Sequence, residues 1–124
     1  MIDGINVVFI HVKDPVKLAN WYKEILELEI GFSTPDLHWQ EFTLPENRSP
    51  TRFALDSIGD DPSEVEKQSI MISFKVSDIV QAVWRLESKG IEFYGKEKII
   101  DAGSTLFATF RDIEENWIQI SQRK

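Results

Sequence analysis

Hydrophobic and polar residues follow the same succession of patterns in both halves of the chain. An apolar run leads to Val12 in the first half and to Val76 in the second, and an aspartate follows each run two residues later. Beyond the aspartate, apolar residues recur three and four positions apart, which is the spacing of one buried helical face. They are Leu18, Trp21, Tyr22 and Ile25 in the first half and Ile79, Ala82, Val83 and Leu86 in the second. The chain therefore contains a duplicated unit of about 60 residues, which is long enough for half of a domain.

The ends of both helical patterns carry residues with capping roles. Asp14 and Asp78 are each placed to cap a helix N-terminus, and Pro15 suits the first helical position because its missing N–H would have no partner there. Gly90 follows the second pattern and suits a left-handed position after a helix. These signals predict helices over residues 15–27 and 79–89.

Alternation of apolar and polar residues predicts strands on either side of each helix. The predicted strands cover residues 5–12, 28–33, 38–44 and 51–56 in the first half and residues 69–76, 91–96, 104–111 and 116–121 in the second. The polar, acidic segment Ser57–Lys67 has no strand periodicity and is interpreted as a linker. We therefore expect an α+β fold in which two tandem βαβββ modules, residues 1–57 and 68–124, form a single domain and curl around a central cleft.

Composition and charge exclude several classes of partner and site. Of the 124 residues, 42% are hydrophobic and 11% aromatic, as in an ordinary globular protein, and no apolar run is long enough to span a bilayer. The net charge of −7 would repel nucleic acid and anionic membranes, so neither is expected as a partner. The chain has no cysteine, which excludes disulfides, thiolate metal sites and cysteine nucleophiles. No export signal is recognised, so a cytoplasmic location is expected.

Three segments, in this order, resemble the vicinal oxygen chelate superfamily, which includes glyoxalase I, bleomycin-resistance proteins and extradiol dioxygenases. The segments are VKDPVKLANWYKEILELEIGF with its aromatic pair Trp21-Tyr22, FKVSDIVQAVWRLESKGIEF, and FRDIEENWIQI in the closing hairpin. The resemblance covers nearly the whole chain and implies the glyoxalase/bleomycin-resistance/dihydroxybiphenyl dioxygenase fold. In the hairpin the family usually has Asp-Pro-Asp-Gly-Asn, whereas this chain keeps Asp112 and Asn116 and has Ile-Glu-Glu between them.

The resemblance also indicates where metal-dependent members of the superfamily carry up to four protein ligands. Carried over to this chain, the four positions are Val7, Ala54, Met71 and Gln119. A divalent ion in such a site needs imidazole nitrogen and carboxylate oxygen, and only Gln119 supplies a usable oxygen. We therefore expect no metal ion and no other cofactor.

Strand alternation indicates which side chains share the inner faces of the two sheets. His11 should point inward, where its imidazole could orient or deprotonate a ligand, or could be a hydrogen-bonded structural histidine. Arg52 could bind an anionic ligand and Glu41 or Asp56 a cationic one, unless these charges pair with each other. Gln119 needs a hydrogen-bond partner, whether ligand, water or another side chain. Together with aromatic residues that could accept a flat, apolar molecule, the candidate ligand-binding residues are Phe9, His11, Trp39, Glu41, Arg52, Asp56, Phe107, Trp117 and Gln119.

The resemblance implies a glyoxalase/bleomycin-resistance-like protein that binds a small, partly aromatic or apolar molecule without a catalytic metal, as a homodimer. Trp84 lies off the buried face of its helix and is a candidate for the subunit contact. The alternative is an enzyme of the same superfamily, a lyase, isomerase or dioxygenase, that uses His11 with Glu41 or Asp56, or a rebuilt metal site. A third reading is a structural or regulatory protein whose cleft is filled by its own side chains.

Overall fold

The computed structural model describes residues 1–3, 5–44, 51–57 and 70–124. The chain divides into unit 1, Met1–Lys67, and unit 2, Gln68–Lys124. Within the described residues, each unit contains one helix and one four-stranded sheet. Neither of these helices has the length and apolarity needed to cross a lipid bilayer.

Unit 1 begins with a strand, continues with a helix and ends with three strands. Its elements are β1 (Val7–Val12), α1 (Pro15–Ile25), β2 (Glu29–Ser33), β3 (Trp39–Thr43) and β4 (Arg52–Ser57). The strands lie in the order β1-β4-β3-β2, with β1 parallel to β4 and the other two pairs antiparallel. Asp14 caps α1 by accepting a hydrogen bond from the backbone N–H of Lys17 at 3.0 Å, and Pro15 occupies the first turn.

The core of unit 1 lies between α1 and one face of this sheet. Tyr22 is buried against Phe42 and Phe53, with ring centroids 5.5 and 5.8 Å apart, and the two phenylalanine rings stack on each other. Leu18 of the helix and Leu55 of β4 are fully buried as well. Because side chains alternate along a strand, the neighbours of Phe53 and Leu55 in β4 point to the sheet face opposite α1.

Unit 2 repeats the same order of elements. They are β5 (Ile72–Lys75), α2 (Ile79–Ser88), β6 (Ile100–Asp101), β7 (Thr105–Arg111) and β8 (Trp117–Arg123). The strands lie in the order β5-β8-β7-β6, and β5 is parallel to β8 as β1 is to β4. Asp78 caps α2 through a hydrogen bond from the backbone N–H of Gln81 at 3.1 Å. The buried apolar residues of α2, β7 and β8 are Ile79, Val83, Leu86, Ala108, Phe110, Ile118 and Ile120.

The turn between β7 and β8 is built on the buried carboxylate of Asp112. This carboxylate accepts hydrogen bonds from the backbone N–H groups of Glu114 at 2.8 Å and Asn116 at 2.9 Å, and from the Asn116 side-chain amide at 2.9 Å. Glu115, at a position where the family usually has glycine, takes a left-handed φ of 67°. The two residues that the chain shares with the family's hairpin therefore form the hydrogen-bonded frame of the turn.

The predicted α+β fold of two βαβββ modules is confirmed. Both helices begin at the predicted residue, and α2 is followed by Gly90 with a φ of 93°. Most strand ends differ from the predicted ends by one to three residues. The predicted linker lies outside the described residues except for Ser57, which ends β4. That the two modules form a single domain stays a prediction.

One predicted strand is wrong. Residues 91–96, all of them described, form no strand, and the fourth strand of this sheet is β6 instead. Phe93 packs edge-on against Phe110 at 5.4 Å, and the Tyr94 N–H bonds to the Thr109 carbonyl at 2.8 Å before Gly95, with a φ of 88°, turns the chain. The alternating apolar residues here anchor a loop on the core, and a glycine-dependent turn stops the strand ladder from forming.

Candidate functional site

Six of the nine candidate ligand-binding residues lie together in unit 1, on the face of the sheet opposite α1. The strand register explains this grouping, because His11 of β1 and Trp39 of β3 both lie opposite Asp56 of β4. Phe9 and Glu41 are likewise the two register partners of Ala54. The six residues, named the β1-β3-β4 cluster, are Phe9, His11, Trp39, Glu41, Arg52 and Asp56.

Two polar pairs organise the charges of the β1-β3-β4 cluster. Arg52 Nη1 donates to both carboxylate oxygens of Glu41, at 3.1 and 3.2 Å, and Trp39 Nε1 donates to the same carboxylate at 3.1 Å. His11 Nδ1 faces Asp56 Oδ2 at 3.5 Å. The sequence left open whether Arg52 and the carboxylates would pair with each other or bind a ligand. In the structure, Arg52 and Glu41 form an ion pair.

Aromatic rings complete the β1-β3-β4 cluster. The Phe9 ring lies 5.1 Å from the ring of Trp39, tilted by 55°, and meets the His11 ring edge-on at 5.7 Å. Phe9 is 42% exposed and His11 is also exposed, so the rings form an open corner and not a filled core.

The four positions that the resemblance assigns to metal ligands carry few suitable donor atoms. Val7 and Ala54 carry no donor atom, and the thioether of Met71 is a poor ligand for hard or borderline cations. Gln119 alone offers an oxygen. Among the described residues, no three His, Cys, Asp or Glu side chains are grouped closely enough to hold an ion. The residues present therefore do not fit the metal that the fold family implies.

The other three candidate residues line a pocket in unit 2, where strands β7 and β8 meet the loop after residue 93. The pocket has a volume of about 650 Å³. In the register of the sheet, Gln119 lies between Ser73 of β5 and Thr109 of β7. The residues that line the pocket are Met71, Tyr94, Gly95, Lys96, Glu97, Lys98, Ile100, Phe107, Thr109, Trp117 and Gln119.

Trp117 is held in place on two sides within this pocket. Its ring meets the Tyr94 ring edge-on, with centroids 5.5 Å apart, and the Arg111 guanidinium lies over it at 4.0 Å from the centroid. Arg111 is itself paired with Glu115 at 3.0 Å. Such a cation–π contact fixes the plane of the indole, so the ring presents a defined apolar surface to the pocket.

The sequence analysis named Phe107, Trp117 and Gln119 but missed the other side of the pocket. Tyr94 and Lys96 were missed because residues 91–96 were predicted to form a strand, and Ile100 was missed because β6 was not predicted. The isolated glycine inside this strand pattern, Gly95, was the local signal that the strand could be interrupted here. Met71 was assigned to a metal-ligand position and lines the pocket with its apolar side chain.

Comparisons with known proteins agree with the fold. A sequence model of the "Glyoxalase/Bleomycin resistance protein/Dioxygenase superfamily" matches residues 4–120. No curated protein matches the chain in sequence. One similar solved structure is TnmS3, an antibiotic binding protein from Streptomyces sp. CB03234, with 18% identity, 99% of this chain and 98% of that chain covered, and a TM-score of 0.77.

Two further solved structures have the same fold. A member of the superfamily from Sphaerobacter thermophilus DSM 20745 is 23% identical, with 98% of each chain covered and a TM-score of 0.74. The fosfomycin resistance protein FosX from Listeria monocytogenes, complexed with Mn(II) and sulfate, is 17% identical, with 100% of this chain and 93% of that chain covered and a TM-score of 0.70. Since the family match spans residues 4–120 of 124, the chain belongs to the glyoxalase/bleomycin resistance protein/dioxygenase superfamily.

Proposed function

We propose that this protein binds a small, partly aromatic or apolar molecule in the pocket of unit 2, without a catalytic metal. The observation that carries the proposal is the pocket itself. Its volume of about 650 Å³ falls within the range of roughly 300–1,000 Å³ that small-molecule sites occupy. It combines the aromatic residues Tyr94, Phe107 and Trp117 with the polar residues Thr109 and Gln119.

The pocket's composition suits a flat ligand with a polar substituent. A ring stacked on the fixed indole of Trp117 would gain apolar burial and an aromatic contact. The amide of Gln119 can both donate and accept a hydrogen bond, and the hydroxyl of Thr109 can do the same. These two groups would orient the ligand, whereas the aromatic side chains would supply most of the affinity.

The comparisons support binding of this kind. TnmS3 is an antibiotic binding protein, and FosX is a fosfomycin resistance protein. FosX was solved with Mn(II), whereas the four positions that the family resemblance assigns to metal ligands in this chain have only one oxygen donor, at Gln119. The proposal therefore contains no metal-dependent step.

A ligand screen with a localising measurement tests the proposal. Small metabolites and antibiotics are screened by thermal shift, with and without Ni²⁺, Zn²⁺, Mn²⁺ and Fe²⁺, because a ligand that binds the folded state raises the melting temperature. The best hit is then titrated into ¹⁵N-labelled protein while the indole resonances of the four tryptophans are followed. We expect the Trp117 indole to shift, and we expect added metal to leave the affinity unchanged.

Matched variants identify the pocket as the site. Trp117→Ala should weaken the hit by about 2 kcal/mol, or about 30-fold in Kd, through loss of the stacked ring. Phe32→Ala, which removes an exposed aromatic ring outside the pocket, should leave the Kd unchanged. If no compound shifts the Trp117 indole, or if Trp117→Ala binds as tightly as the parent, the proposal is wrong.

We further propose that the protein is a homodimer with the exposed side of α2 in its contact. Val80 and Trp84, one helical turn apart, are 66% and 73% exposed, which is unusual for two large apolar side chains side by side. Light scattering after size exclusion should give the mass of two chains for the parent and of one chain for Trp84→Glu. A monomeric parent would contradict the dimer, and a dimeric Trp84→Glu would contradict this contact.

A second candidate function is an enzyme of the same superfamily that uses His11 as an acid–base group. The observation in its favour is Asp56, 3.5 Å from His11 Nδ1. A carboxylate at Nδ1 favours the tautomer that leaves Nε2 able to accept a proton, and such contacts are often long before a ligand binds. Incubating the best hit with protein and following it by ¹H NMR tests this candidate. An unchanged ligand, or conversion that survives His11→Gln, counts against it.

A further inference from the structure

The carboxylate of Asp56 is the least compensated charge in the β1-β3-β4 cluster. Its side chain is only 26% exposed, and it lies between the register partners His11 and Trp39. Partial burial of a carboxylate is unfavourable unless a cation or several hydrogen-bond donors compensate it. Among the described residues its ion-pair partner is His11, at 3.5 Å, beyond the length of a normal hydrogen bond.

Arg52, the arginine that the described residues place on this face, is paired with a different carboxylate. The Arg52 guanidinium donates to both oxygens of Glu41, which is itself mostly buried and also accepts the indole N–H of Trp39. Among the described residues, the register also places Glu29 of β2 on this face, opposite Thr43, so the face carries three carboxylates and one guanidinium. An anionic ligand would be repelled by this excess of carboxylates, whereas a cationic one would reduce the excess.

Two aromatic rings that pack against each other lie next to Asp56 in the strand register. Trp39 lies directly opposite Asp56 in the register, and Phe9 packs against both Trp39 and His11. The negative faces of Trp and Phe rings attract cations, and a carboxylate next to such rings is the usual combination for recognising an ammonium group. Phe9 and His11 are exposed, so a ligand can reach the corner that the rings form.

We propose that the β1-β3-β4 cluster binds a cationic group, a protonated amine or quaternary ammonium carried by a small organic molecule. Asp56 supplies the counter-charge, and Phe9 and Trp39 supply cation–π contacts and apolar contact for the attached carbon atoms. The Arg52–Glu41 pair holds the Trp39 ring in place through its indole N–H. All residues of this site belong to unit 1, so the inference does not depend on the pocket proposed in unit 2.

A matched pair of probes separates charge recognition from apolar binding. Phenethylamine, protonated at pH 7, and phenethyl alcohol, its uncharged counterpart, are titrated into the full ¹⁵N-labelled chain. The indole resonance of Trp39, assigned through Trp39→Phe, reports on this cluster, and that of Trp117 reports on the pocket. We expect the amine to shift the Trp39 resonance and to bind there about tenfold more tightly than the alcohol.

Variants and salt then test the roles of Asp56 and Phe9. Asp56→Asn should weaken the amine about tenfold and leave the alcohol unchanged, and Phe9→Leu should weaken the amine about threefold. The matched control is Glu92→Gln, which removes the same charge from an exposed position in unit 2 and should have no effect. In the parent protein, added NaCl should weaken the amine and not the alcohol, which tests the charge without any substitution.

The inference is overturned if amine and alcohol bind equally at Trp39, if a folded Asp56→Asn binds the amine like the parent, or if salt has no effect. A Trp117 response without a Trp39 response would overturn this inference and leave the pocket proposal standing. A Trp39 response to the amine, when no compound shifts Trp117, would support this site and remove the other.

Discussion

The Asp112 turn gives the sharpest test of how this sequence holds its fold together. The perturbation is Asp112→Ala, in the tight connection between β7 and β8 that positions Trp117 at the start of β8. Asp112 is 4% exposed and accepts three hydrogen bonds of 2.8–2.9 Å, two from backbone N–H groups and one from the Asn116 side chain. Truncation to alanine removes the acceptor of all three donors.

The size of the effect follows from those three bonds. A hydrogen bond to a charged group contributes about 1.5–3 kcal/mol, and donors left without a partner add their desolvation cost. Glu114 and Asn116 are only half-buried, so water can reach part of the exposed donors. We therefore expect Asp112→Ala to lower the free energy of unfolding by about 3 kcal/mol, less than the sum of three isolated bonds.

Asp112→Asn is the matched control. The amide keeps one oxygen, so it can still accept both backbone N–H groups at the position of Oδ1, but it loses the charge and the acceptor that faces the Asn116 amide. We expect a loss of about 1–2 kcal/mol for this variant. The difference between the two variants separates the geometry of the turn from its charge.

Urea unfolding at neutral pH, followed by circular dichroism, measures both variants. With slopes of about 1–3 kcal/mol per M, a loss of about 3 kcal/mol lowers the urea midpoint by at least about 1 M. The slope should stay unchanged, because the turn is small. A loss below about 1 kcal/mol for Asp112→Ala would refute the reasoning, and equal losses for both variants would refute the separate role of the backbone acceptor.

Three further predictions concern capping, backbone conformation and pH. Asp14→Ala and Asp78→Ala should each lower the free energy of unfolding in urea by about 1 kcal/mol. The two losses should add in the double variant because the caps lie in different units, and strong non-additivity would contradict this. Gly90→Ala should lower thermal stability by about 1 kcal/mol, since φ is 93° and no atom would clash with the added Cβ; an unchanged melting temperature would contradict it. The pKa of Asp101 lies below its ordinary value, chiefly because Lys124 donates hydrogen bonds to its carboxylate. The pair therefore stabilises the folded state when the pH is above the ordinary pKa of an aspartate. This stabilisation is lost as the pH falls through the lowered pKa of Asp101. Lys124→Gln should raise the pKa of Asp101 in an NMR titration, and an unmoved pKa would contradict the pairing.

Much of the fold could be predicted from the sequence because the decisive signals are local. The helical spacing around Tyr22, the caps Asp14 and Asp78 and the turn at Gly90 depend on residues within one or two turns of each other. The duplication then implied that the second unit would repeat the strand order of the first. The same alternation placed the six candidate side chains of β1, β3 and β4 on one face, and the strand register groups them there.

The loop after Phe93 shows where local signals fail. Its apolar alternation is that of a strand, yet the ladder does not form, because Phe93 packs on Phe110 and Gly95 then turns the chain. Neither event depends on local periodicity. This loop also forms one side of the pocket, so the error concealed Tyr94 and Lys96 as lining residues.

The sequence by itself determined the two βαβββ modules, the first residues of their helices and the shortage of imidazole and carboxylate donors at the positions that the resemblance assigns to metal ligands. Only the tertiary structure decided which charges pair. From the sequence, Glu41 could have contacted either Arg52 or a ligand. The register of the strands brings Arg52 to Glu41 and places Asp56 beside His11. The pocket likewise depends on contacts between residues far apart in the chain, such as Tyr94 with Trp117. Periodicity and capping are properties of neighbouring residues, whereas a site is formed by side chains that only the folded backbone brings together.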